Sequence, residues 1–438
     1  MSAQASGKGG FFYKSTFSEV FPAKYQPKKI GLALAGTLTK QESVIVEQKI
    51  VRAFLVASVL QRASSSWFFS TYVLFILSFG YTLLDANMLN IVFMASNFIL
   101  DPPTGHLADR WGQKKLYIWG LVCWGAGMFI YGFGGHMAYF ALAELVGALG
   151  HSLQSGALDS WLLNNTNEEV THKTLAKAGK WANWASIPTA ILGGIVGTTW
   201  GLQWPWLLAG VSSLAAAGLV FWLTRQLPDD VACAGQKVSL PSVFANLKAS
   251  SGEMIRSRNL RFVIVVAFFA NLAFQPFNMF WPPVLKEAQI PQFLLGVVWA
   301  GIALAAAWGS DLAHSHHLLP DRASVAFIML TIGLPMLLTS LFSYSWLLLG
   351  FFLAHEVGRG ALGPVLFTYS NRFLTAEKRS ECNSIRSSVQ TLGAALGLLL
   401  SGILSTYISP LAVWGLSGAL LIGVSFYALL SCFSLQEE

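Results

Sequence analysis

Twelve apolar runs, most of them at or above the length needed to cross a bilayer, occupy the greater part of this 438-residue chain. They fall at about 51–79, 84–103, 116–135, 137–162, 179–201, 203–225, 261–285, 292–313, 323–342, 345–370, 383–406 and 410–434. About 20 helical residues rising ~1.5 Å each match a hydrocarbon core ~30 Å thick. The chain is 54% hydrophobic and 11% charged, whereas a soluble protein carries about 25% charge. The expected fold class is therefore an all-α membrane protein with twelve transmembrane helices, integral and multi-pass in an inner or plasma membrane.

The bases report orientation. They concentrate in the first 50 residues and in alternate connections, 104–115, 164–180, 225–261, 314–322 and 371–386. Short basic connections stay on the cytosolic side, so both termini are expected there. The longest interior polar segment, 226–260, has six runs on either side. This divides the chain into a cytosolic tail (1–50), a six-helix bundle (51–225), a central cytosolic loop (226–260), a second six-helix bundle (261–434) and a short cytosolic C-terminus (435–438). No basic-then-apolar signal with a cleavage site precedes the first run, which is expected to remain in the mature protein.

The net charge of +7 does not indicate nucleic acid, because the bases sit in short loops and no basic face is interleaved with aromatics. Cys123, Cys233, Cys382 and Cys432 are scattered, which indicates neither a disulfide framework nor a zinc site. No phosphate-binding loop of the G-x-x-x-x-G-K-[ST] type is present. No activated nucleophile or metal-spaced constellation lies within the runs, so no enzyme activity, cofactor or metal is expected, and the chain is taken as a monomer.

Polar side chains inside the runs recur on every third one. Run one holds Gln61, Arg62, Ser65 and Ser66; run four Glu144, His151 and Gln154; run seven Asn271, Gln275 and Asn278; run ten His355, Glu356 and Arg359. An intramembrane charge costs ~2.5–3.5 kcal/mol on insertion scales, so such groups face a polar space or one another. Spacings of seven (Glu144 to His151) and four (His355 to Arg359) put each set near one helix face. Pairing across three residues, as between Glu356 and Arg359, is the alternative to a solute-facing stripe. Trp67, Trp181, Trp184, Phe277 and Trp281 lie near these stripes and are candidates to stack on an organic solute.

The stretch GHLADRWGQKK, 105–115, is a densely charged segment between two membrane-length runs and is expected to form a short aqueous loop. Gly105, Leu107, Ala108, Asp109, Arg110, Gly112, Lys114 and Lys115 match the pattern G-x-L-A-D-R-x-G-x-K-K. In this the chain resembles the Major Facilitator Superfamily (MFS) of transporters at the loop between their second and third helices. The resemblance implies two pseudo-symmetric bundles, a cavity lined by helices one, four, seven and ten, and a gating role for Gly105, Asp109, Arg110, Gly112, Lys114 and Lys115. Asp101 and Asp159 are assigned to helix junctions on the same side, in a gating or structural role, and Asp101 is counted with the gating residues. In the second half, SDLAHSHH (310–317) stands where a copy of the loop belongs, with His314 in place of the acid and the bases missing. Family exporters often carry an Arg in helix four about four residues before a Gly; Ala143 stands there, ahead of Gly147.

The function expected from the sequence is proton-coupled export of a small organic solute by alternating access. Gln61, Arg62, Ser66, His151, Gln154, Asn271, Gln275, Asn278, His355 and Arg359 are assigned to the solute, and Glu144 and Glu356 to the proton. Arg62 and Arg359 favour a second reading, transport of an anionic metabolite such as a carboxylate siderophore. A non-transporting membrane receptor or sensor is the alternative from another class.

Overall fold

The computed structural model describes residues 40–228, 256–315, 319, 321–342, 344–374 and 379–433. The tail, most of the 226–260 connection, His316, His317 and the last five residues lie outside these, as do the side chains of Asp109, Arg110 and His314.

The helices are α1 (Lys40–Ser66), α2 (Tyr72–Leu77), α3 (Leu83–Trp111), α4 (Gln113–Gly132), α5 (Met137–Gln154), α6 (Ala157–Asn165), α7 (Glu168–Thr199) and α8 (Trp204–Thr224). The second half adds α9 (Arg258–Glu287), α10 (Leu295–Ser315), α11 (Arg322–Thr339), α12 (Ser345–Asn371), α13 (Arg379–Leu404) and α14 (Pro410–Phe433). Each of the twelve runs corresponds to one helical unit, two of which are broken. α1 and α2 together form the first; α5 and α6 form the fourth. Seven stretches, Leu83–Asp101, Trp204–Thr224, Arg258–Glu287, Gln292–Ala313, Arg322–Thr339, Ile385–Leu404 and Pro410–Cys432, are long and apolar enough to cross a membrane on their own.

Local chemistry fixes the helix starts. Thr82 and Asp85 form a reciprocal capping box on α3. Asn167, Ser257 and Asp321 each accept a backbone N–H at the start of α7, α9 and α11. The GHLADRWGQKK stretch is not a loop, because α3 runs on through Trp111 and α4 begins at Gln113. Gly112 alone makes the break, at φ 96°, a conformation open to glycine and strained for other residues. Gly105 has no neighbour close to where its Cβ would stand, so it serves no tight helix contact. The interruption between α5 and α6 falls at Gly156, which is left-handed (φ 69°).

The helix pairing repeats. α1 packs on α7 and α8, α3 on α5, and α4 on α5 and α8; in the second half α9 packs on α13 and α14, α10 on α12, and α11 on α12 and α14. These are the same five contacts shifted by six units, as an internal repeat requires. The halves meet through α3 with α13, α7 with α10 and α2 with α9. Many of the named contacts between halves cluster at one end of the molecule. Asn87 Nδ2 donates to Leu398 O (2.7 Å) and Ser401 Oγ (3.1 Å). A Cβ on Gly296 would come within 2.5 Å of Ala190 O, and one on Gly194 within 3.0 Å of Gly296 N. Only the absence of side chains permits that approach.

A buried base closes the opposite end of each half. Lys114 donates through Nζ to Thr224 O (2.9 Å) and Leu227 O (2.8 Å), satisfying carbonyls at the end of α8. Arg322, at the start of α11, donates through Nη1 to Ser431 O near the end of α14 (2.7 Å), through Nε to Tyr369 Oη (2.9 Å) and through Nη2 to Asn259 Oδ1 (2.7 Å). The base missing from the 310–317 stretch has its counterpart in Arg322. Lys114 thus holds α4 to the end of α8 within its own bundle.

Candidate functional site

In the second half α9 and α12 bring three of the expected residues together. Arg359 Nη1 donates to Glu356 Oε1 (2.6 Å) and its Nη2 to Asn278 Oδ1 (2.8 Å), while the guanidinium carbon lies 4.9 Å from the centre of the Phe274 ring. The Arg359 side chain keeps 21% of its surface exposed, against 5% for Glu356. The carboxylate is therefore sequestered while the cation retains an open face. His355 is fully buried behind them, with Nδ1 on Phe352 O and Nε2 3.4 Å from Glu356 Oε1. Helical spacing of three and four places the three α12 groups together. The partial exposure of Arg359 leaves room for a second anion, which a planar guanidinium binds in bidentate fashion.

Asn271 and Gln275, on the same helix as Asn278, bond to their own backbone: Asn271 Nδ2 donates to Ala267 O (2.9 Å) and Gln275 Nε2 to Asn271 O (3.1 Å). They are half-buried and do not join the arginine cluster. Phe277 and Trp281 are core residues, not solute platforms. Phe277 packs edge-on to His355 and Trp414, and Trp281 stacks on Phe352.

In the first half Glu144 is buried within its own bundle. Its Oε1 accepts from Tyr131 Oη (2.8 Å) and Tyr72 Oη (3.1 Å), and Tyr131 stacks on Trp206 at 3.9 Å. The carboxylate is thus enclosed by α2, α4 and α8. His151 is exposed and borders Phe93 (5.8 Å) and Trp124 (6.5 Å). The two groups differ in setting, Glu144 held by tyrosine hydroxyls inside the bundle and His151 exposed. Tyr72 and Tyr131 were not singled out because a tyrosine in an apolar run looks like ordinary packing; their hydroxyls are what make Glu144's burial tolerable.

Gln154 also turns inward, packing on Gly120 and donating to Gly150 O (3.0 Å). In α1, Gln61 is half-buried and its carbonyl accepts from Ser64 and Ser65. Ser66 is buried and donates to Arg62 O (2.7 Å). Arg62 lies 5.6 Å from the Phe69 ring centre in the turn between α1 and α2. Trp181 and Trp184 are exposed, on a face of α7 opposite the one packed on α1, so they are not placed for stacking on a solute between the halves. Asp101 is exposed inside α3, which runs on to Trp111, so it marks no helix junction, and Lys115 is exposed beside buried Lys114. Among the described residues no group of three His, Cys, Asp or Glu side chains is placed to hold a metal.

A family model described as Major Facilitator Superfamily matches residues 54–319. An uncharacterized MFS-type transporter, YxaM of Bacillus subtilis (strain 168), is 22% identical over 384 residues, covering 84% of this chain and 91% of that protein. Multidrug resistance protein 2 of the same organism is 28% identical over 141 residues, 31% of this chain and 34% of its own length. Among solved structures, a bacterial homolog of the human lysosomal transporter Spinster, inward-facing and unoccupied, superposes with a TM-score of 0.69 at 13% identity, over 88% of this chain and 95% of that one. The nucleoside transporter NupG gives 0.65 at 12% identity, over 89% and 98%.

Proposed function

The chain belongs to the Major Facilitator Superfamily and moves a solute across a membrane, and we propose that this solute is a small organic anion carried together with a proton. The observation that carries the reading is the partly exposed Arg359, held by Glu356 at 2.6 Å and Asn278 at 2.8 Å. In this account Glu356 and a carboxylate or phosphate on the solute compete for the same guanidinium. Protonating Glu356 removes its charge and releases Arg359, so proton and anion load together and travel in one direction. His355 and Phe352 position the carboxylate, and Phe274 holds the guanidinium plane.

Orientation follows the basic connections, with both termini, the 1–50 tail and the 226–260 connection in the cytosol. The end closed by Asn87 and Gly296 is then the outer one. Alternating access consists of the halves separating at that end and meeting at the other. Glu144, enclosed by Tyr72 and Tyr131, is the second proton site, coupled to α2 where it touches α9.

Proton-driven efflux of an amphipathic molecule is the second reading, favoured by the local likeness to Multidrug resistance protein 2. Proteoliposomes with imposed pH gradients separate the two. Anion flux that runs with the proton gradient, competes with other organic anions and is lost in Arg359→Gln supports the first. Flux of cationic amphiphiles against the proton gradient, unaffected by Arg359→Gln, overturns it.

A further inference from the structure

Outside the solute site, the surface of α7 carries a continuous exposed stripe: Lys177, Trp181, Trp184, Pro188, Leu192 and Ile195. Steps of four and three keep these on one face. The opposite face, with Thr174, Ala178, Ala182 and Ser186, is buried in the bundle, and Gly193 lies against the Trp67 backbone. α10 shows a matching stripe of Val297, Leu304 and Trp308, while Gly309 is pressed to Val357 of α12. The two helices are antiparallel and touch at Gly194 and Gly296. Ten residues back along α7 correspond to ten forward along α10, which levels Trp184 with position 306 and Trp181 with position 309. Trp308 falls between them. Both stripes turn away from their own bundles toward the same side of the seam, which is the lipid side.

Depth along α7 gives the ligand. Exposed Trp200 caps the end of α7, and interfacial tryptophans concentrate at membrane boundaries. Trp181 lies 19 positions earlier, about 28 Å away at 1.5 Å per residue, where the other boundary of a ~30 Å core falls. Lys180 and Lys177 stand within the next turn, at headgroup level. Glu169 is taken by Lys173 at 2.5 Å, and neither Lys177 nor Lys180 has an ion pair among the described residues. The nearby acid is Asp311, exposed near the end of α10.

We infer that the lipid side of the α7–α10 seam binds an anionic phospholipid, with its headgroup on Lys177 and Lys180 and its glycerol and upper chains against Trp181, Trp184 and Trp308. This rests on the membrane-spanning fold and not on the choice of solute. The site bridges the two halves, so an occupied site ties the lipid composition of that leaflet to their relative movement.

The test is native mass spectrometry of the full chain released from nanodiscs of equal palmitoyl-oleoyl phosphatidylglycerol and phosphatidylcholine. Wild type is expected to retain phosphatidylglycerol preferentially. A lysine near an anionic surface contributes about fivefold in affinity, so Lys177→Gln with Lys180→Gln lowers that preference by roughly 25-fold, while the two Arg variants keep it. Asp311→Asn strengthens retention, whereas an ion-pair latch between Asp311 and these lysines would leave it no stronger. Equal retention of both lipids by wild type, or an unchanged preference in the double Gln variant, overturns the inference. Displacement by soluble glycerol phosphate at matched concentration also overturns it, because the site would then take a free anion and not a lipid. Elution of the double Gln variant at the wild-type volume shows that its loss is not unfolding.

Discussion

Replacing Asn87 with Leu removes two hydrogen bonds between the halves while keeping the side chain's branching at Cγ. Asn87 is fully buried and donates to Leu398 O at 2.7 Å and Ser401 Oγ at 3.1 Å. Interhelical hydrogen bonds in membranes average about 0.6 kcal/mol by double-mutant cycles, well below the vacuum strength, because the separated helices find other partners. Two such bonds amount to about 1.2 kcal/mol, or roughly an eightfold shift toward the state in which this end is open. The loss falls on the closed state alone, because α3 and α13 contact each other across the seam while each stays packed in its own bundle. Double electron–electron resonance between spin labels at Tyr81 and Tyr407 reads the two populations directly. Asn87→Leu should raise the long-distance population about eightfold. Unchanged populations, with a lowered melting temperature, would show that Asn87 supports the fold and not the seam, and the assignment of this end as the closed one would fail.

Glu356→Gln keeps an acceptor for Arg359 but no charge; the hydrogen bond to a charged group is worth about 1.5–3 kcal/mol, so the KM of an organic anion should fall at least tenfold and flux in proteoliposomes should no longer respond to a pH gradient. Lys114→Met retains the apolar stem and loses both carbonyl contacts at the end of α8, which should cost about 2 kcal/mol and lower the melting temperature in detergent by several degrees. Gly193→Val places a side chain where the Trp67 carbonyl already stands. The expected result is loss of the monodisperse peak in size-exclusion chromatography, and a wild-type profile would mean that α7 does not pack tightly on the α1–α2 turn.

The helical units were legible because hydrocarbon thickness sets their length: the run 345–370 is Ser345–Asn371, and 203–225 is Trp204–Thr224. Interruptions were less so. Residues 67–71 are as apolar as their neighbours, and the bend there depends on Gly193 meeting the Trp67 backbone, a contact more than a hundred positions away in sequence. The 105–115 stretch reads as a loop because its charges are dense; yet most of its residues are adequate helix formers, and of its two glycines only Gly112 takes the positive φ that breaks the helix. The cluster of Asn278, Glu356 and Arg359 was visible in part, since spacing fixed the pair on α12. That Asn278 reaches them while Asn271 and Gln275 do not depends on how α9 lies on α12. Glu144 and His151, seven apart, share a face of α5 as the periodicity requires; what spacing does not show is that Tyr72 and Tyr131 close over the carboxylate while the imidazole stays exposed.

The central claim is that the two halves move against each other about a site near Arg359, opening one end as they close the other. The direct measurement is a pair of spin–spin distances in one preparation, Tyr81 to Tyr407 at the closed end and His172 to Asp311 at the opposite end, followed as pH and organic anion are varied. The account predicts that the first distance lengthens as the second shortens, in equal proportions of molecules. Distances that change together, or a change at one end alone, would contradict it.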